Sequence, residues 1–360
     1  MNNYIEYNNK IAFHPGYYIS ELIEESGLSQ EDFAKRLGTA PKNLSILVNA
    51  KQNLSLDICT KLSRMLGTTI TYWLNLQQTY DEICAEFLSD KELKKEREIF
   101  HFIDYAYFRD HFDLPAFPRK TDAQIRSLRE FLSVSSLNIL CEVDFATSFR
   151  SYSNYLSQLN IVNANAMVQL AINQALKTET PKFNKKKFNQ AVEFSLTQTE
   201  NHSDFYPVVK KAFAEAGVIL VALPNLKGSG INGATKRIDG RILLMVNDRR
   251  HYADTFWFTM FHEIGHIMNG DYGMTFKENK NTAEDEADLY ASNMLIPSDA
   301  YENFLKRTDI PSEYAIRTFA KTIKRDPGIV FGRLQKDGKI PYNQSALGNR
   351  IRHKYTIRCH

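Results

Sequence analysis

The chain has 360 residues, with 45 Lys and Arg against 42 Asp and Glu for a net charge of +3, and 43% of it is apolar. That length exceeds one ordinary domain and points to two or three, with enough apolar material for real cores; the near-neutral balance excludes a global polyanion signal, so any nucleic-acid surface has to be local. No apolar run reaches membrane-span length, the start MNNYIEYNNK has neither a basic n-region nor an apolar h-region, and the cysteines (Cys59, Cys84, Cys141, Cys359) form no C-x-x-C pair, so a cytoplasmic protein with free thiols and no membrane partner is expected.

The first module, residues 1–80, reads as five short helices from about His14. Ser29 caps a helix over Gln30–Leu37, Gly38 ends it, and Pro41 opens the next after a three-residue turn. Phe33, Ala34, Leu37, Leu44 and Leu47 fall where a helix-turn-helix buries its inner faces, and the small Ala34 and Gly38 allow close approach. Residues Leu28 to Lys51 (LSQEDFAKRLGTAPKNLSILVNAK) resemble the Cro/repressor-type helix-turn-helix family. His14-Pro15-Gly16 before them and Tyr72-Trp73-Leu74-Asn75-Leu76-Gln77 after them look like the HigA-type antitoxin domain. The resemblance implies a double-stranded DNA operator as partner, with Lys42, Asn43, Ser45 and Ile46 at base edges and Gln30, Asn49 and Lys51 near phosphates. Between His14 and Tyr80 six basic residues face six acidic ones, so non-specific affinity is expected to be modest and binding to need a homodimer.

Residues 81–201 read as a helical connector. Asp90 to Arg97 (DKELKKER) is a solvated face, Leu114 to Pro118 with its two prolines is a linker, Leu156 to Leu176 is a packing helix, and the short basic run Lys185 to Lys187 faces solvent.

The third module, residues 202–300, begins with a helix over Phe205–Ala216 closed by Gly217. Val218–Leu223 (VILVAL), stopped by Pro224, reads as a buried strand, and Ile231–Ile238 and Arg241–Asn247 as two more joined by a hairpin at Asp239-Gly240. Then comes His262-Glu263-Ile264-Gly265-His266. Two histidines four apart on a helix lie on one face, the bite a tetrahedral zinc ion takes from two imidazoles, and Glu263 between them is placed as a general base. Chance supplies about 0.03 copies of His-acid-x-x-His at this composition. The surrounding TFWFTMFHEIGHI is apolar nearly all round, hence a buried helix, and buried ionisable groups require a partner. A third ligand is sought on the next helix, Thr282 to Ile296, where Glu284, Asp285, Glu286 and Asp288 are candidates that spacing does not separate.

Val246-Asn247-Asp248-Arg249, FTMFHEIGH, and Glu284-Asp285-Glu286-Ala287 leading to Met294-Leu295-Ile296-Pro297 together resemble the ImmA/IrrE metallopeptidase family over about Ser203 to Pro297. That resemblance makes Glu286 the third ligand, with Glu284 as runner-up, of one Zn2+ per chain, and Mn2+ or Fe2+ also suits an N/O site of this kind. It implies a zinc endopeptidase with Glu263 catalytic and His262, His266 and Glu286 on the metal, acting on a protein substrate of the repressor type. His251, Tyr252 and Tyr290 are chemically able to stabilise an oxyanion. Asp288, where the family commonly has Asn, and Asn269-Gly270, where many members have a further His, bear on the surroundings of the metal.

Residues 301–360 form a C-terminal helical extension. Phe319 to Gln335 resembles a second helix-turn-helix but is too apolar for DNA, so packing is expected, and the tail from Asn349 to His360 is basic. The expected fold is α+β, mainly α: a five-helix helix-turn-helix domain, a helical middle, and a zincin-like domain whose small sheet packs on the metal helix. The alternative to a DNA-binding regulator with peptidase activity is an antitoxin-like repressor whose zincin fold binds a toxin or a ligand without hydrolysis.

Overall fold

A computed structural model of the chain describes residues 3–143, 145–146, 157–276 and 282–357. The chain divides into two compact units, residues 1–95 and 96–360.

The first unit opens with an antiparallel hairpin of β1 (Tyr4–Tyr7) and β2 (Lys10–Phe13), turned by Asn8 and Asn9 at φ 49° and 58°. Asparagine tolerates that left-handed backbone, which is what a two-residue hairpin loop demands. Five helices follow: α1 (Pro15–Ser26), α2 (Gln30–Leu37), α3 (Pro41–Val48), α4 (Leu56–Leu66) and α5 (Ile70–Phe100). The punctuation is as the sequence indicated. The Ser29 hydroxyl accepts from the Asp32 amide at 3.1 Å, Gly38 closes α2 at φ 71°, and Pro41 opens α3. His14 caps α1 by accepting the Gly16 amide on Nδ1 at 3.0 Å. Gly16 lies against α3 so tightly that a Cβ there would stand 2.1 Å from the Leu47 carbonyl oxygen, which accounts for the His-Pro-Gly opening. Trp73 fills the core beside Phe33, Leu44 and Leu62, its indole N–H donating to Thr68, and Gln77 accepts the Leu54 amide at 2.7 Å. The fifth helix is not short. With neither Gly nor Pro after position 70 it runs 31 residues through the expected boundary at 80.

The second unit continues through α6 (Tyr105–Phe112), α7 (Thr121–Leu132), a 3-10 turn at Leu137–Cys141, α8 (Gln158–Leu176), α9 (Lys185–Leu196) and α10 (Phe205–Glu215), then β3 (Val218–Leu223), β4 (Ile231–Ile238) and β5 (Arg241–Asn247). After these come α11 (Ala253–Asn269), β6 (Gly273–Phe276), α12 (Thr282–Leu295), α13 (Ser298–Leu305), α14 (Glu313–Ile323), α15 (Pro327–Lys336) and α16 (Ser345–Ile351). Three strands have the bounds read from the sequence; a fourth, β6, follows the histidine helix and was not expected. The sheet order is β3-β5-β4-β6, with β3 parallel to β5 and the other pairs antiparallel. Asp239 and Gly240, at φ 48° and 77°, make the β4–β5 turn.

Residues 81–95 of the expected connector fall in the first unit, and residues 96–201 are part of this second body. Val218 and Leu220 of β3 with Ile242 and Leu244 of β5 join the core that α11 enters, while the alternate Ile219, Val221, Leu243 and Met245 are buried on the opposite face, where α8 packs on β3 and β5. The C-terminal helices likewise belong to the core: Ile329, Val330, Phe331 and Leu334 of α15 are buried with Phe256 and Trp257 of α11, the packing role expected for that segment. Arg352 closes the arrangement, its guanidinium holding the buried Asp254 carboxylate through two bonds of 3.0 and 2.8 Å. The end of the basic tail, residues 358–360 with Cys359, lies outside the described residues, and Cys59, Cys84 and Cys141 are free thiols. Among the described residues no helix is long and apolar enough to cross a membrane.

Candidate metal centre and DNA-facing helix

His262 and His266 sit one turn apart on α11, their Nε2 atoms 3.1 Å from each other. Glu284, in the first turn of α12, lies across from both, with Oε2 at 3.2 Å from His262 Nε2 and Oε1 at 3.5 Å from His266 Nε2. The three ligand atoms all lie within 4.8 Å of one another. Two nitrogens bound tetrahedrally at metal–nitrogen distances near 2.05 Å stand about 3.3 Å apart, close to the spacing seen. A glycine makes the convergence possible. A Cβ on Gly265 would lie 3.0 Å from Ala287 Cα, so the glycine between the histidines lets α12 press against α11 and carry Glu284 over the imidazoles.

Each imidazole is oriented from behind by a carboxylate: Asp288 Oδ1 is 2.8 Å from His262 Nδ1, and Asp271 Oδ2 is 3.0 Å from His266 Nδ1. A carboxylate only accepts, so both Nδ1 atoms carry the proton and both Nε2 lone pairs point inward at each other. That opposition is repulsive unless a cation or a proton stands between them. Without a metal a proton takes the place. Burial alone would lower the His262 pKa, but the bonds to Asp288 and Glu284 and the charge of Glu263 push it up to about 9. Burial raises the Glu284 pKa, and its bonds to His262 and His266 overcome this and hold the carboxyl well below its ordinary range. The donor set of two neutral nitrogens, one carboxylate and two outer carboxylates therefore suits a divalent cation.

Glu263, 1% exposed, lies against β4. A Cβ on Gly233 would fall 2.6 Å from its Cγ and 2.7 Å from its Oε1, so only glycine leaves room for this carboxylate. The β4–β6 register shifts between Ile231 and Ala234, a bulge at the strand residues that face the base.

The structure departs from the sequence expectation at the third ligand. Glu286 is exposed and accepts from the Asn269 side chain at 3.2 Å, while Asp285 is exposed as well. Residues two apart on a helix point about 200° apart, so Glu284, in phase with Ala287 and Ala291 on the face toward α11, displaces Glu286 from the position the motif alignment gave it. Asp288 orients His262 instead of reaching the cation position. Asp271 and Gly233 were not anticipated: an acid just past the helix-ending Gly270 and a glycine inside a strand were the available signals. Of the three oxyanion candidates, two lie away from the cluster and the third lies beside it. His251 is mostly exposed beside Asp248, Tyr252 precedes α11 about 15 Å along the axis from His262 with Arg352 over its ring, and Tyr290, its phenol pushed up to about 12 by burial and the Glu193 charge, packs against Gly265. Asn247-Asp248-Arg249 is a loop clamp: Asn247 donates to Ile231, Arg249 to Gly230, and Asp248 accepts the Asn225 and Ile357 amides.

In the first unit α3 buries Leu44, Leu47 and Val48 and leaves Lys42 and Asn43 exposed with Ser45 and Ile46 half-buried. Asn49 and Lys51 are exposed and Gln30 is half-buried at the start of α2. The Asn49 side chain is partly committed, donating to the Ser45 carbonyl at 2.7 Å.

Residues 19–73 match the helix-turn-helix family and residues 219–325 match the IrrE N-terminal-like domain. The Escherichia coli K12 transcriptional regulator YddM, of helix-turn-helix type, is 35% identical over 79 residues, 21% of this chain and 84% of that protein. The chain belongs to the helix-turn-helix regulator family. This regulator carries the IrrE-like domain in its second unit, around the histidine–carboxylate cluster. Two solved structures are also similar to it. One is an addiction module antidote protein of a HigA family from Coxiella burnetii (31% identity, 23% of this chain and 91% of that one, TM-score 0.22). The other is a Pseudomonas aeruginosa protein in complex with its operator DNA (26% identity, 24% and 90%, TM-score 0.22).

Proposed function

We propose that this regulator binds operator DNA through α3 and hydrolyses a peptide bond of a protein substrate, a repressor-type protein, with a divalent cation, zinc in the first instance, held by His262, His266 and Glu284. The observation that carries the reading is the convergence of three ligand atoms within 4.8 Å, two of them on imidazoles whose outer nitrogens are already tied to carboxylates, next to a second buried carboxylate, Glu263, that is not in the ligand set.

Bound there, a divalent cation supplies Lewis acidity toward water and toward a carbonyl oxygen. The protein's own residues do the rest. Glu263, confined between α11 and β4, takes a proton from water and delivers it to the leaving amine. Asp288 and Asp271 keep the imidazoles in the ligating tautomer. The walls of Gly233 and α12 exclude bulk water from the carboxylate. For DNA, the outward side of α3 offers Lys42, Asn43, Ser45 and Ile46 to the major groove, with Gln30, Asn49 and Lys51 toward phosphates.

The test is cleavage of a candidate repressor by metal-loaded protein. Wild type is expected to cleave, Glu263→Gln to keep its metal and lose about 10²–10⁴-fold in rate, and His262→Ala to lose both. Absence of Glu263-dependent cleavage across the repressors tried would leave DNA binding as the activity of the chain.

A further inference from the structure

Beside the histidine cluster, entirely within the second unit, lies a cavity of about 330 Å³ between α11, α12 and α15. Three side chains on its wall are nearly fully buried and polar: Thr259 at 7%, Ser292 at 8% and Gln335 at 7% exposure. No side-chain hydrogen bond ties any of the three to another described residue, and none of their polar atoms is among the fully enclosed unpartnered ones, so these atoms are open to the cavity. Their polar ends therefore face the cavity, where they can bond to water or to a ligand that displaces it. Its size is at the low end of small-ligand sites.

The charges around the cavity say what that is. Arg352 is spent on Asp254, Arg333 on Asp337, and Lys336 on Asp288 at 2.8 Å, whereas Arg250 at the rim has no partner among the described residues. Phe258, Leu295, Ile296 and Ile329 supply an apolar wall. Unmatched donors are thus a guanidinium, an amide and two hydroxyls, set against hydrocarbon, and no carboxylate is left over to attract a cation.

We propose that this cavity binds a carboxylate carried on a short apolar stem, a glutamate-like group, with Arg250 on the charge and Gln335, Ser292 and Thr259 on the remaining oxygens. Its position gives the ligand a route to the metal cluster. Lys336 is shared between the cavity and Asp288, which orients His262, and Asn232, also on the wall, adjoins Gly233 and the buried base. The group is either a side chain of the polypeptide substrate or a free dicarboxylate; the chemistry that recognises it is the same.

The experiment is calorimetric titration of the full chain, stripped of metal with phenanthroline and dialysed, with glutarate as probe. Saturable binding is expected, with glutaramide at least tenfold weaker, Arg250→Gln weakening glutarate about tenfold, and Ser292→Leu, which fills the cavity, abolishing it. His262→Ala should leave glutarate binding unchanged, which separates this site from the cluster and from the peptidase reading. An alanine-flanked peptide with one internal glutamate that displaces glutarate assigns the group to the substrate; failure to displace it assigns a free small molecule. No saturable binding, equal binding of glutaramide, or binding lost in His262→Ala but kept in both cavity variants overturns the proposal.

Discussion

Two acids, two residues apart, separate at the histidine cluster because only Glu284 shares the helical phase of Ala287 and Ala291. Glu284→Gln is therefore expected to reduce bound metal from near one per chain to near zero, and Glu286→Gln to leave it unchanged within about twofold, since Glu286 meets only Asn269 in solvent. Metal analysis of dialysed protein reads the difference, and equal losses in the two variants would reject the assignment. Removing an outer carboxylate should be milder: Asp271→Asn or Asp288→Asn is expected to weaken metal affinity about 10–100-fold, measured by competition with a chromophoric chelator. That His262 and His266 lie together was legible because one stretch of helix holds them four residues apart, which puts both on one face. The acid that joins them was not, since it depends on which face of α12 meets α11, and that is set by Gly265 and Ala287, residues without chemistry of their own.

At the scale of elements, the same contact makes a prediction. Gly265→Val puts atoms where Ala287 Cα already stands, so α12 must move outward, at a cost of about 1–3 kcal/mol in stability. Metal binding should fall with it although every ligand is retained. Loss of stability with full metal content would show that α12 is not positioned by this contact. At the other end of α11, Arg352 is the guanidinium partner of Asp254, which is buried, and Arg352→Ala leaves that carboxylate uncompensated; about 3–5 kcal/mol of unfolding free energy is expected to go, as read by denaturant midpoints. Strands β3, β4 and β5 were legible to the residue because Pro224 and the Asp239-Gly240 turn bound them. By contrast β6 has only four residues and owes its existence to β4 beside it, so no local signal marks it. The length of α5 was open to reading, since nothing from Ile70 to Phe100 breaks a helix; the expected stop at 80 came from the extent of a resemblance and not from a residue.

Across the whole molecule the cluster ties metal binding, stability and pH together. In metal-free protein His262 has its pKa raised from 6.5 to about 9, so the folded state holds a proton there more tightly than the unfolded chain does. That contribution is complete below 6.5 and is lost as pH rises through about 9. Glu284 acts in the other direction: its depressed pKa contributes stability above its ordinary value of 4.5 and loses it as pH falls. Metal-free protein should therefore be most stable between these values and should weaken on the alkaline side. A cation needs His262 neutral and competes with that proton, so its hold strengthens over the interval in which the proton is released. An ion at about 1,000 times its dissociation constant adds about 4 kcal/mol to the state that binds it. The metal-induced rise in Tm is thus expected to be larger at pH 8.5 than at pH 6, and to vanish at both in His262→Ala. Since the cluster lies wholly in residues 96–360, calorimetry should place the rise in that unit's transition and leave the transition of residues 1–95 where it was. A rise that stays constant or shrinks toward alkaline pH would mean that His262 does not exchange its proton for the cation.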